Sequence, residues 1–111
     1  MTIPLEIADS TSGSWTVVTV TGEVDVATSP ELFDALDRAT DDKQRLVVDL
    51  SRVTFMDSTG LGVLIQTLRA VLAKDGEMRL VVHEQNVRKI FEVTGLDGVI
   101  QIYGSLADAT A

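Results

Sequence analysis

Cysteine is absent from the 111 residues. A disulfide framework, a thiolate zinc site and a cysteine nucleophile are therefore excluded, and a reducing compartment fits. Basic residues are few: 9 Lys and Arg stand against 17 Asp and Glu, for a net charge of −8. No run gathers them. Nucleic acid needs cations clustered against its phosphates, so it is not an expected partner, and anionic membranes are disfavoured on the same ground. The balance suits a partner that presents basic groups, and equally suits acid carried for solubility. Nothing approaches the ~20 apolar residues of a membrane-spanning helix. The opening Met1-Thr2-Ile3-Pro4-Leu5-Glu6 also lacks the basic region and apolar core of a signal peptide. The expectation is a cytoplasmic protein with no membrane role. Histidine occurs once, at His83. With no Gly-rich phosphate loop and no serine–histidine–acid set, enzyme chemistry is not expected, nor is a cofactor or a metal.

What is present describes a folded domain. Hydrophobic residues make up 45% and charged residues 23%, and a single domain of this length buries roughly two-thirds of its unfolded surface. Alternating Ile3, Leu5 and Ile7 predict a half-buried strand over 3–8. Asp9 to Ser14 read as turn material, and Trp15 to Thr21 as a second strand, joined to the first as an antiparallel hairpin. Gly22-Glu23-Val24-Asp25 then leaves the strand as a loop. A helix begins near Thr28, where Thr28 and Glu31 have capping-box spacing and Pro30 falls in the first turn. Leu32, Phe33, Leu36 and Ala39 form its inward stripe; Asp34, Asp37, Asp41 and Asp42 form an acidic, solvated outer face.

The apolar run Leu46–Leu50 predicts a buried strand, and Leu61, Leu64, Leu68, Val71 and Leu72 a helix ending at a glycine stop, Gly76. A strand over 78–82, a third helix through Val87, Ile90, Phe91 and Thr94 ending at Gly95, a strand over 99–103 and a short helix over 105–109 complete the chain. Strands joined through helices run parallel with right-handed crossovers, so only the first strand should run against the others. The fold class is α/β, with a mixed, mostly parallel sheet of four or five strands and about four helices.

The functional centre lies between the Leu46–Leu50 strand and the central helix, where Asp57-Ser58-Thr59-Gly60 places small polar residues at a helix start above a strand end. That edge is where open α/β sheets meet ligands and partners. One capping residue is enough for a helix, yet three stand in a row. Gly60 and Gly62 occupy the first turn, where each costs up to ~1 kcal/mol relative to alanine, so small side chains are wanted there to leave Ser58 open to close approach. A helix N-terminus also favours an anion by roughly 0.3–1 kcal/mol, so a phosphate on Ser58 would be tolerated. Asp25 and Asp57 have the chemistry of paired carboxylates, but nothing else completes a catalytic site around them.

The run Phe55-Met56-Asp57-Ser58-Thr59-Gly60-Leu61-Gly62-Val63-Leu64 resembles the signature of the STAS domain, in its anti-sigma factor antagonist branch. Gly22-Glu23-Val24-Asp25, and Val87 through Phe91 to Thr94-Gly95-Leu96, match in order and spacing, so the resemblance spans nearly all of residues 1–111 as one STAS domain. It implies a binding switch of the kind used in stress response and sporulation. Ser58 would be phosphorylated by an anti-sigma factor with ATP-dependent serine kinase activity. Unphosphorylated, the chain would hold that partner and free a sigma factor, and a PP2C-type phosphatase would restore it. The resemblance assigns Asp57 and Thr59 as contacting neighbours, Gly60 as the open helix turn and Asp25 to the partner surface, in a monomer or weak dimer. The alternative it leaves is a STAS subunit of another system, such as a lipid-transport ATPase accessory or a sensor scaffold.

Overall fold

A computed structural model describes residues 5–41 and 44–111. Ile3 and Asp42, placed above on the first strand and on the acidic helix face, lie outside them. The described chain runs β1 (Glu6–Ser12), β2 (Trp15–Val24), α1 (Ser29–Ala39), β3 (Arg45–Met56), α2 (Ser58–Ala73), β4 (Glu77–Val81) and α3 (Gln85–Thr94). A short 3-10 turn (Leu96–Gly98), β5 (Gln101–Tyr103) and α4 (Leu106–Ala109) follow. The sheet order is β1-β2-β3-β4-β5, with β1 antiparallel to β2 and every other pair parallel. The expected class, sheet and lone antiparallel strand are all present.

Because β2 to β5 advance in one direction across the sheet, right-handed crossovers place α1, α2 and α3 on the same face. The main core forms there: Val18, Val20, Leu46, Val48 and Leu50 from the strands meet Leu32, Leu36, Leu64, Val87 and Phe91 from the helices. Each of these large side chains contributes about 1.5–3 kcal/mol by leaving water. The opposite face carries a smaller cluster of Trp15, Val17, Val47, Val81 and Ala109, the last from α4. Arg45 and Arg79 stack on Trp15 at 4.2 and 4.4 Å from its ring centre. Arg79 also donates to the Ala109 carbonyl at 2.9 Å, tying α4 to the sheet.

Several boundaries differ from the sequence expectation. Strand β1 continues through Asp9–Ser12, residues that read as a turn, because Ser12 pairs with Trp15 and only Gly13 and Ser14 remain as the hairpin loop. Gly13 has φ +60, as the first position of a type II′ turn requires. An edge strand with exposed side chains accepts polar residues that a central strand would not. Strands β2 and β3 also run past their apolar segments, to Val24 and Met56, pairing through two register shifts. Strand β4 stops opposite Asp49, so β2 and β3 project beyond it as a two-stranded ledge.

Helix faces depart as well. Phe33 and Leu72, placed in the inward stripes, are exposed, while Ala35 of α1 and Val63 and Thr67 of α2 are buried. Thr28 and Glu31 form no capping box: the Thr28 side chain makes no cap bond. Helix α2 does stop at Lys74-Asp75-Gly76, but Asp75 takes the left-handed position at φ 58. Gly76 is required for space, since a Cβ there would lie 2.6 Å from the Gln44 carbonyl oxygen. Helix α3 ends on Gly95 at φ 78, the left-handed stop anticipated for it.

Candidate functional site

The ledge positions the site. Val24 and Met56 are partners at the ends of β2 and β3, and the Asp57 N–H donates to the Val24 carbonyl at 3.2 Å. Asp25 and Asp57 therefore leave adjacent parallel strands side by side, at the ~4.8 Å strand spacing. From Asp57 the chain turns at once into α2.

The three capping-type residues divide the work between them. Asp57 is the N-cap of α2: its Oδ1 accepts from the Thr59 N–H at 2.9 Å and the Gly60 N–H at 3.4 Å. The Thr59 hydroxyl donates to the same Oδ1. That hydroxyl is the main reason the Asp57 carboxyl titrates below the ordinary aspartate range, with the two backbone donors reinforcing it against the opposing effect of burial. Ser58 occupies the first helical position, is exposed, and its hydroxyl has no protein hydrogen-bond partner among the described residues. The cap and its brace are thus supplied by the neighbours, and the Ser58 oxygen is left facing solvent.

Gly60 plays a different part from the open turn expected of it. It is buried, and a Cβ would meet Val24 Cγ1 at 2.7 Å and Met56 Cγ at 2.8 Å. The absent side chain lets the start of α2 settle on the ends of β2 and β3, which holds Ser58 at the rim. Gly62 is the open glycine, with nothing within 4 Å of a built Cβ.

Asp25 is half-buried and structurally engaged. Its Oδ1 accepts from the N–H groups of Ala27 at 2.9 Å and Thr28 at 3.1 Å. Its own N–H donates to the Thr28 hydroxyl at 3.0 Å, and that hydroxyl donates to the Glu23 carbonyl at 2.8 Å. Buried Thr28 holds the N-cap position of α1 as expected, but its side chain locks the β2–α1 loop and makes no cap bond. A threonine followed three residues later by glutamate fits both roles, so spacing does not separate them. His83 is exposed at the end of β4. The described residues hold no group of three or more His, Cys, Asp and Glu arranged to bind a metal, and no helix long and apolar enough to cross a membrane.

The five-stranded sheet with its lone antiparallel edge strand defines the fold class, and the comparisons with known proteins agree with it. The sequence model of the STAS domain matches residues 3–109, and the chain belongs to that family. It is 36% identical over 99 residues to the anti-sigma-B factor antagonist of Staphylococcus aureus, covering 88% of this chain and 92% of that protein. The crystal structure of an anti-sigma factor antagonist from Mycobacterium paratuberculosis superposes with a TM-score of 0.88 at 31% identity, over 98% of this chain and 95% of that one. The Bacillus cell fate determinant SpoIIAA, solved in its phosphorylated form, superposes at 0.70 over 94% of this chain and 96% of that one; at 20% identity it speaks for the fold alone.

Proposed function

We propose that the chain is an anti-sigma factor antagonist whose binding is switched by phosphorylation of Ser58. The kinase is the anti-sigma factor itself, acting on serine with ATP. The unphosphorylated chain holds that partner in the cytoplasm and so releases a sigma factor, and a PP2C-type phosphatase returns Ser58 to its free state. Asp25, Asp57 and Thr59 form the surface around the acceptor, and Gly60, buried beneath it, seats the helix start that presents Ser58. The chain acts by docking and catalyses nothing.

One observation carries this reading: at the start of a 16-residue helix, the Ser58 hydroxyl is exposed while Asp57 and Thr59 are bonded to each other and to the backbone. An acceptor must enter another protein's active site, and an unbonded hydroxyl on a rim does so without dismantling a cap. The names of the relatives supply the class of partner. Phosphorylation adds about −1.5 to −2 charge, beside Asp57 and on the ledge that carries Asp25. Docking would bury this dianion against a surface that fits a neutral hydroxyl, so its desolvation and its bulk oppose binding. A penalty of ~1–3 kcal/mol weakens docking about 5- to 150-fold without a change of fold.

The test is incubation with an anti-sigma factor kinase and ATP, followed by mass spectrometry of the Asp49–Arg69 region and affinity measurements on two variants. Phosphate is expected on Ser58, with Ser58→Ala binding constitutively and Ser58→Asp binding poorly. Equal affinity of the two variants would remove the switch.

A further inference from the structure

We propose that the groove between the end of β3 and α3 is a second half of the docking surface, taking an apolar side chain of the same anti-sigma factor kinase. The inference rests on the reading of Ser58 given above and extends it to residues outside the Asp57–Gly60 turn. Two cavities of about 270 Å³ each lie along α3 and share Asn86 and Ile90. One is closed by Thr54, Phe55, Met56 and Val87 at the strand end; the other continues past Val93 and Thr94. Phe55 is 48% exposed and Val93 76% exposed, so both present apolar surface along the groove.

Position decides what covers this groove. Phe55 is three residues before Ser58 and pairs with Glu23 across the ledge, next to the Val24–Met56 pair from which Asp25 and Asp57 depart. A protein that closes its active site over Ser58 must lie across the ends of β2 and β3, and the same body then covers Phe55. The occupant's chemistry follows from the surroundings. Glu23, Asp25 and Asp57 give the ledge an excess of negative charge, offset in part by exposed Arg52 on β3 and by Lys89 in the groove. The excess steers a basic surface toward it and sets orientation more than final affinity. Binding energy concentrates instead in a few apolar anchors seated in pockets and ringed by polar groups. The groove supplies such a pocket, so the partner segment presents an apolar side chain flanked by Lys or Arg. The lining of the groove includes none of Asp57–Gly60, so its contribution should be the same in both states of Ser58.

The experiment uses the whole chain and the purified serine-kinase anti-sigma factors of its source organism. Affinity and phosphorylation kinetics are measured for wild type, Phe55→Ser, Val93→Ser and Ser58→Asp. Leu72→Ser and Val99→Ser serve as controls; these residues are 57% and 67% exposed, at the far end of α2 and just before β5. The groove variants are expected to weaken binding and raise KM about 10-fold with kcat unchanged, as loss of an anchor does. Their thermal unfolding should stay at the wild-type temperature, and the controls should bind within about twofold of wild type. Groove variants that bind like wild type while Ser58→Asp binds poorly would overturn the groove and leave the switch standing. Controls that weaken as much as the groove variants would also overturn it. If wild type neither binds nor is phosphorylated by any of the kinases, the switch and the groove fall together.

Discussion

Asp57, Ser58 and Thr59 are chemically similar residues given three different tasks by a single helix start. The carboxylate is the best acceptor for the first-turn N–H groups, so Asp57 becomes the cap. The Thr59 hydroxyl braces it, and Ser58 is left over. Because the folded Asp57 carboxyl titrates below its unfolded value, the cap's stabilisation is fully present above about pH 4 and is lost as pH falls through the lower, folded pKa. A carbon-detected titration should place the Asp57 midpoint below that of ordinary aspartate, and Thr59→Val should raise it by removing the largest cause of the shift. Asp25 is a second residue with two duties. Asp25→Asn keeps the oxygen that Ala27 and Thr28 donate to, and should unfold near the wild-type temperature while binding partner less tightly. Asp25→Ala removes that oxygen and should cost about 1 kcal/mol as well, as a lost cap does. Calorimetry of the two variants separates charge from loop geometry.

At the scale of elements, two glycines in one helical turn serve opposite ends. Gly60→Ala drives a methyl into Val24 and Met56, which are both buried and on adjacent strands. Overpacking of this kind costs typically 1–3 kcal/mol, and it should lift the start of α2 and lower the melting temperature by several degrees. Gly62→Ala meets open space in a helix interior, and should stabilise by up to ~1 kcal/mol. Equal thermal shifts for the two would mean that α2 is not seated on the strand ends as described. A glycine pair in a first turn signals a helix that approaches something closely. Which member makes the approach depends on the angle at which α2 crosses β2 and β3, and no local pattern encodes that angle.

For the molecule as a whole, a net charge of −8 and a ledge of carboxylates make association with a basic partner sensitive to salt. Stopped-flow measurements should show the association rate falling several-fold between low and ~0.5 M salt, with a smaller change in dissociation. A salt-independent rate would place the acids outside the encounter surface.

Composition, apolar periodicity and the Asp57–Gly60 turn determined the α/β class, the parallel order and the position of the serine, because strands of β-branched residues and helices of period 3.6 carry their own marks. Only the tertiary structure decided how far β2 and β3 extend, since Gly22–Val24 and Ser51–Met56 mix polar with apolar residues and are held as strand by each other. It likewise decided that Thr28 locks a loop, that Gly60 faces the core and that Phe55 faces out. Thr28 bonds only three to five residues back, at a spacing that a helix cap also fits. The seating of Gly60 on Val24 and of Phe55 beside α3 depends on neighbours distant in sequence, and such contacts leave no period in the chain.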